Sequence, residues 1–195
     1  MTKSASVPRA NRRDQIIGIA RNRFRETGLA ETTLDMIAAE AGIARPNLYR
    51  YFKDKAELVS AVLVAEARAI NEFRTARLKG VRGFPNRVVR SIRATVEVMA
   101  KDSLWAEIVS PSNVPYTAYV ASHDEDVLRS NYDYWMPMLK DAQAKGEMDP
   151  ELDLEEVMKW LLGIEFMFME RREIFASPKE VEHYAKTFVL PALLR

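Results

Sequence analysis

The sequence predicts an all-α protein, and three observations support this fold class. Apolar residues recur at three- and four-residue spacing through most of the chain, as at Ile16, Ile17, Ala20 and Phe24, which is the period of one face of an α-helix. Glycine and proline separate these stretches, and Ser, Thr or Asp precedes several of them, as a helix N-cap does. No segment of useful length alternates apolar and polar residues as a half-buried strand would.

The predicted helices follow one another along the whole chain. Gly28, Gly42 and Gly146 end three of them, in the position where glycine forms a left-handed C-cap. The chain also divides by composition, because residues 1–52 form three short helices and residues 53–195 form long helices that contain all three Trp. The expected helices are about 9–27, 34–41, 45–51, 55–78, 85–101, 103–109, a stretch after Pro115 that ends at Lys145, 154–174 and 178–194.

The composition argues against an enzyme, a metal site, a bound cofactor and a membrane protein. The chain has no Cys and only two His, 60 positions apart, so thiolate nucleophiles, zinc fingers and two-His metal motifs are excluded. It carries no Gly-rich phosphate loop and no nucleophile elbow. No uncharged run approaches the roughly 18 residues of a membrane span, and the N-terminus lacks the apolar run of a signal peptide. These observations indicate a cytoplasmic protein.

Charge is unevenly distributed, although the formal net charge is only +1. Residues 1–60 hold 11 Lys and Arg against 7 Asp and Glu, and residues 61–102 hold 9 against 4. Residues 103–170 reverse this balance, with 4 basic and 14 acidic side chains. A basic front half indicates contact with a polyanion. Solvated helices that merely differ in charge would give the same pattern, so charge alone leaves the partner open.

The segment 32–52 has the pattern of a helix-turn-helix. Two short helices are joined by a turn that contains Gly42, and Ile37, Ala41 and Leu48 are spaced to pack between them. In this arrangement the second helix enters the major groove of DNA, with its N-terminal residues toward the base edges.

The side chains expected to contact DNA lie on and around this second helix. Arg45 can pair with guanine and Asn47 with adenine, since each presents the matching bidentate hydrogen-bonding groups. Ala44 and Pro46 lie in the same N-terminal turn and are also expected to contact DNA. Further contacts to phosphates are expected from Thr33, Tyr49, Arg50, Tyr51 and Lys55, and contacts to the backbone or minor groove from Arg9, Arg12 and Arg13. For each residue alone, a core position or a solvated basic face is the alternative.

From about Arg12 to Leu63 the chain resembles the DNA-binding domain of TetR-family transcriptional regulators. The resemblance rests on a combination of residues: Ala20–Phe24, Gly28, Thr32-Thr33, Ile37-Ala38, Ala41-Gly42-Ile43, Leu48-Tyr49-Arg50-Tyr51-Phe52-Lys53-Asp54-Lys55 and Leu58. It implies a nine-helix fold, a homodimer formed mainly by the last two helices, a palindromic operator and a small-molecule pocket in the C-terminal domain. It also implies a repressor that an effector releases.

The recognition helix departs from the family pattern at two places. It begins Ala44-Arg45-Pro46-Asn47, where relatives often carry Ser or Thr followed by Lys, Gly or Ala, and Arg50 stands where His is common. Arg45 adds a charged side chain that can contact base edges, and Pro46 removes a backbone N–H donor. The operator sequence of a relative therefore does not transfer to this chain.

The C-terminal part, residues 53–195, is interpreted as the effector-binding and dimerisation domain, and residues 1–52 as the DNA-binding domain. The helix that contains Trp160 is apolar on nearly every side, and the last helix carries a second apolar stripe, which together would leave a large patch exposed in a monomer. A wholly intramolecular core is the alternative. The candidates for a pocket that binds a small hydrophobic or aromatic effector are Met99, Trp105, Tyr116, Tyr119, Tyr132, Trp135, Met138, Trp160 and Met167.

Other interpretations remain open from the residues alone. Each pocket candidate could serve simple packing, and His123 is interpreted as part of a solvated helix cap rather than a metal ligand. A DNA-binding regulator without a small-molecule effector, controlled by a protein partner, would carry the same helix-turn-helix. A purely helical interaction module would instead bind DNA weakly and without sequence preference.

Overall fold

The computed structural model describes residues 9–108, 110, 112–113, 123–171, 174–175 and 177–194. All regular secondary structure among these residues is helical, as predicted. Two compact units, Met1–Ala65 and Glu66–Arg195, divide the chain. The boundary between them falls within the fourth helix.

The N-terminal unit is built around one small apolar core. Its helices are α1 (Arg9–Glu31), α2 (Leu34–Glu40), α3 (Arg45–Leu48) and the first turns of α4 (Lys55–Arg77). The core side chains come from all four helices and follow the spacing seen in the sequence. Those exposed by 2% or less include Ile16, Ala20, Phe24, Ile37, Ala38, Leu48, Phe52, Leu58 and Val62.

Gly28 bends α1 at the point where the sequence predicts its end. Its φ of 82° lies in the left-handed region, which disfavours residues with a Cβ. The chain then resumes a further helical turn up to Glu31 instead of stopping. The Thr32 hydroxyl donates to the Gly28 carbonyl at 2.7 Å, so the bend and the start of the next helix are fixed together.

The C-terminal unit consists of longer helices. It contains the rest of α4, then α5 (Phe84–Met99), α6 (Ser103–Ile108), α7 (Glu125–Ala144), α8 (Leu154–Glu170) and α9 (Pro178–Tyr184). A π-helical turn (Ala185–Val189) and a last short helix, α10 (Leu190–Leu193), continue α9 without a break. Side chains from α5, α7, α8 and the final helical segment share one core that includes Val88, Ile92, Trp135, Leu139, Leu161, Phe168 and Val181.

Acidic and hydroxyl N-caps set the beginnings of the last three long helices. Asp124 accepts hydrogen bonds from backbone N–H groups at the start of α7, and Asp153 does so at the start of α8. Ser177 and Glu180 form a reciprocal capping box at the start of α9. Such caps satisfy N–H groups that have no partner within the helix.

The final helical segment is held by one buried face and by its C-terminal end. Val181, Ala185, Val189 and Leu193 are all at most 2% exposed, so every fourth residue points into the core through the π-helical turn. The backbone N–H of Asp149 donates to the Leu193 carbonyl at 3.0 Å and ties the end of the segment to the loop after α7. None of the described helices combines enough length with enough apolar character to cross a bilayer.

Candidate nucleic-acid interface and ligand region

The turn between α2 and α3 forms the geometry that the sequence predicts. Thr33 is the N-cap of α2, where its hydroxyl accepts the Met36 N–H at 3.2 Å. Gly42 has a φ of 62°, which lets the chain reverse direction, and the Ile43 N–H donates back to the Ala38 carbonyl at 3.0 Å. Two short helices thus meet across a tight glycine turn, which is the helix-turn-helix arrangement.

Most of the predicted DNA-contact residues are exposed, and α3 is held on the core by two neighbouring side chains. Leu48 is fully buried and Phe52 is 1% exposed, so α3 is seated on the core by these two side chains. Thr33, Ala44, Arg45, Pro46, Asn47, Tyr49 and Arg50 are exposed, and Tyr51 and Lys55 are half-buried. The N-terminal turn of α3 therefore presents Arg45 and Asn47 outward over a fixed base.

Arg45 is held by two neighbours. Its guanidinium lies 3.1 Å from an Asp35 carboxylate oxygen on α2 and donates to the Tyr49 hydroxyl at 3.3 Å. The hydrogen bond to Tyr49 and the charge of Asp35 raise the pKa of Arg45 above its ordinary value. No local pattern in the sequence connects Asp35 with Arg45, because the two residues are ten positions apart and lie on different helices.

The basic residues around the motif have structural contacts of their own. Lys55 Nζ donates to the Ala30 carbonyl at 3.1 Å, close to the end of α1. Arg12 donates to the Ala41 carbonyl at 2.8 Å, and the Arg13 guanidinium lies 4.8 Å from the centre of the Phe52 ring. Arg12 and Arg13 thus pack against the helix-turn-helix, whereas Lys55 packs against the end of α1.

The candidate effector residues fall into two groups. Met99, Trp105, Trp135 and Met138 are buried in the C-terminal unit, with exposed fractions of 7% or less. Tyr132, Trp160 and Met167 are instead exposed by 37–39%. Tyr116 and Tyr119 lie outside the described residues.

A charged cluster lies among the buried helices of the C-terminal unit. Arg74 on α4 forms an ion pair with Glu165 on α8, with both side chains at most 4% exposed. The Arg74 guanidinium also donates to Thr95 Oγ1 at 2.7 Å and to Asn71 Oδ1 at 2.9 Å. Asn71 in turn donates to the Ser130 carbonyl on α7 at 2.9 Å. We call these residues the Arg74 cluster; it connects α4, α5, α7 and α8.

Aromatic rings border the Arg74 cluster. The guanidinium lies 5.0 Å from the centre of the Tyr134 ring and 5.6 Å from that of Trp135. Burial raises the pKa of Tyr134, against a smaller opposing effect of its hydrogen bond to Ser91. Burial also raises the pKa of Glu165, against the opposing effects of Arg74 and Thr95. The signal that sequence analysis missed is one acidic residue, Glu165, inside the otherwise apolar run 160–169.

Several large apolar side chains of the last helices are exposed. Trp160 and Met167 lie on α8, Ile174 is 53% exposed, and Phe188 is 62% exposed. Large apolar side chains at this exposure are costly in water when they form one patch.

Among the described residues, no three His, Asp or Glu side chains come together as metal ligands would.

Comparison with known proteins agrees with the helix-turn-helix geometry. The family model for bacterial regulatory proteins of the tetR family matches residues 16–62. The transcriptional repressor KstR2 of Mycolicibacterium smegmatis is 27% identical over 160 residues, which cover 78% of this chain and 75% of KstR2. The transcriptional regulator UidR of Escherichia coli is 24% identical over 156 residues, with 79% and 78% of the two chains covered.

Solved structures share the fold over nearly the whole chain. Salmonella enterica GusR superposes with a TM-score of 0.69 at 22% identity, covering 96% of this chain and 97% of GusR. The regulator FadR of Bacillus subtilis, solved with stearoyl-CoA, gives 0.65 at 18% identity and 89% and 97% coverage. RolR, solved with resorcinol, gives 0.69 at 16% identity and 95% and 88% coverage.

A helix-turn-helix that is followed along the chain by a helical C-terminal unit is the organisation of a DNA-binding transcriptional regulator. The matches to the family model, to curated regulators and to solved regulator structures agree with this class. Residues 16–62 match the DNA-binding domain of the TetR family, and the chain as a whole is similar to transcriptional regulators of that family.

Proposed function

We propose that this protein is a homodimeric repressor that binds a palindromic operator and is released from it by a small hydrophobic or aromatic effector. In this proposal residues 1–52 read DNA, and residues 53–195 bind the effector and form the dimer. The observation that carries it is the outward presentation of Arg45 and Asn47 at the start of α3, above the buried Leu48.

In the proposed DNA complex, Arg45 and Asn47 contact base edges and the surrounding residues contact phosphates. Arg45 suits guanine because its planar fork matches the O6 and N7 acceptors. Asn47 suits adenine for the same geometric reason. Thr33, Tyr49, Arg50, Tyr51 and Lys55 would set the register on the backbone, since phosphate contacts position a reader without specifying sequence.

We propose that the exposed apolar side chains of the last helices form one face, and that this face is the dimer interface. Trp160, Met167 and Phe188 project from α8 and the π-helical turn, and a second copy of the same face would cover them. A two-fold symmetric dimer then matches a palindromic site, with productive reading helices about 34–36 Å apart.

The proposed effector site lies among Met99, Trp105, Trp135 and Met138. These side chains are buried and apolar, and pockets for small molecules combine such a lining with a few polar groups that fix orientation. The Arg74 cluster supplies polar groups beside Trp135. FadR and RolR, which share the fold, were solved with stearoyl-CoA and resorcinol, an acyl chain and an aromatic ring.

Release from DNA is proposed to follow a shift between dimer conformations. In one dimer conformation the two recognition helices have the spacing that the operator requires, and in another they do not. An effector that binds the second conformation more tightly lowers operator affinity. The loss equals the difference in its binding free energy between the two conformations. No new contact between effector and DNA is needed.

The experiment that tests this proposal begins with selection of the purified protein against a random DNA duplex library at near-physiological salt. We expect a palindromic consensus, and we expect apolar or aromatic compounds to release the recovered operator in a band-shift assay. Recovery of no consensus would contradict the sequence-specific regulator. A consensus that no small molecule relieves would contradict the effector and favour control by a protein partner.

A further inference from the structure

We propose that a cleft on the outer surface of the C-terminal unit binds a phosphorylated small molecule, at a site separate from the proposed effector pocket. The cleft lies between the beginning of α5 and the segment α9 with its π-helical turn, and its volume is about 310 Å³. Its polar lining consists of Arg82, Asn86, Arg90, Arg93, Glu182 and Lys186. We call it the cationic cleft.

The lining carries a clear excess of positive charge. It holds four cationic side chains and one carboxylate. Glu182 already binds two of the cations, Arg93 at 2.9 Å and Lys186 at 2.8 Å, and these hydrogen bonds lower its pKa. Arg82 and Arg90 are exposed, and no carboxylate pairs with either of them in the described part of the chain. The cleft therefore keeps unpaired guanidinium groups on its wall.

Phosphate is an anion that these groups suit. A guanidinium presents a planar fork of N–H donors that matches two phosphate oxygens, and it is less strongly hydrated than an ammonium group. The volume lies at the small end of the range for small-molecule pockets. Val81 and Val89 complete the lining and offer apolar contact to the organic part of a phosphate ester.

The neighbouring cleft shows that the charge excess is local. It shares Arg82 and also has a volume of about 310 Å³. There, Lys145 is paired with Asp141 at 2.8 Å, and Glu147 accepts the Phe84 N–H at 2.9 Å. The charges of this second cleft are close to balanced, so an anion has no comparable reason to enter it.

The cationic cleft is separate from the other proposed sites. Lys186 and the exposed Phe188 are two residues apart in the π-helical turn, which is close to half a turn, so they lie on opposite sides of the segment. Arg93 and the buried Thr95 of the Arg74 cluster have the same relation on α5. A ligand in the cleft would thus contact neither the proposed dimer face nor the Arg74 cluster.

The test measures binding of pyrophosphate and of ADP to the full-length protein by calorimetry, with sulfate as a non-phosphate dianion. We expect both phosphates to bind more tightly than sulfate. The variant Arg82→Ala/Arg90→Ala should weaken phosphate binding at least tenfold. The control Arg129→Ala/Lys140→Ala removes two exposed cations from α7 and should change it less than twofold. Thermal unfolding of each variant verifies that exposed substitutions leave the fold intact.

Each other outcome overturns the inference. Absence of phosphate binding at millimolar concentration would contradict the site. An equal loss of phosphate affinity in the control variant would also contradict it, because the attraction would then come from the overall positive charge of the surface and not from the cleft. A random DNA duplex provides the last comparison, because its backbone offers the same phosphate chemistry. If the cleft variant loses duplex affinity as strongly as pyrophosphate affinity, the cleft contacts DNA and is not a small-molecule site.

Discussion

Replacing Glu165 by Leu should destabilise the protein by about 3–5 kcal/mol, because it leaves Arg74 charged and unpaired in the core. The two side chains are only 2% and 4% exposed, so water cannot solvate the remaining guanidinium. The substitution also removes the acceptor to which the Thr95 hydroxyl donates at 3.1 Å. A loss of this size is a large part of the roughly 5–15 kcal/mol that stabilise a typical native protein.

The double variant Arg74→Met/Glu165→Leu should be far less damaged than Glu165→Leu alone. Replacing both members of a buried ion pair by apolar residues is often neutral or stabilising. In this protein the exchange also removes the hydrogen bonds that Arg74 donates to Asn71 and Thr95. The loss of each bond should lower the free energy of unfolding by about 1 kcal/mol. We therefore expect the double variant to lie within about 2 kcal/mol of the unchanged protein.

Urea unfolding followed by circular dichroism measures these differences. The matched control is Glu182→Gln, which breaks the partly exposed pairs with Arg93 and Lys186 and should cost at most about 1 kcal/mol. A cost of less than about 1 kcal/mol for Glu165→Leu, or a double variant as unstable as the single one, would show that Arg74 is not left as an uncompensated buried charge.

The raised pKa of Glu165 determines how the free energy of unfolding changes with pH. Burial raises the pKa of Glu165 above its ordinary value of 4.5, so the folded state holds the proton more tightly than the unfolded state. The resulting stabilisation is complete below the unfolded pKa and is lost as the pH rises through the folded pKa. Relative to Glu165→Gln, which does not titrate, the unchanged protein should lose unfolding free energy as the pH rises from about 4.5. A constant difference would contradict the raised pKa.

Three further predictions concern DNA binding and assembly. Arg45→Ala should cost about 1–3 kcal/mol at the selected operator and relax the preference at one base position, whereas equal loss on operator and random DNA would exclude base reading. Lys55→Ala should weaken binding to all duplexes and reduce the slope of log affinity against log salt by about one, and an unchanged slope would assign Lys55 to the Ala30 contact alone. Trp160→Asp/Phe188→Asp should convert the dimer to a monomer in sedimentation velocity, because it places charge on the proposed interface; a persistent dimer would locate the interface elsewhere.

The order and type of the helices could be predicted because their signals are local. Thr33 and Gly42 act within one helical turn of their own position, and apolar spacing identifies the buried face. The positions of the helix ends were predicted less accurately. The third helix ends at Leu48 and not near Tyr51, since the Arg50 and Tyr51 N–H groups donate to carbonyls only three residues back. The π-helical turn had one local signal, Pro191, which cannot donate to the carbonyl four residues earlier.

The candidate sites depended more on contacts that the sequence does not reveal. The exposure of Arg45 and Asn47 could be predicted because the helix-turn-helix fixes which turn is exposed. The pairing of Arg74 with Glu165 joins residues 91 positions apart, and no local pattern connects them. Trp160 and Met167 could not be separated from buried neighbours, because a helix that is apolar on all sides does not show which face water reaches.

The π-helical turn at Ala185–Val189 acts as a phase correction. In an uninterrupted α-helix, twelve residues from Val181 to Leu193 would accumulate roughly 120° of drift beyond whole turns. The wider turn takes in one additional residue, equivalent to roughly 100°, which returns Leu193 to the azimuth of Val181. Deleting one residue from this turn would leave the hydrophobic composition almost unchanged and yet rotate the C-terminal residues away from the core.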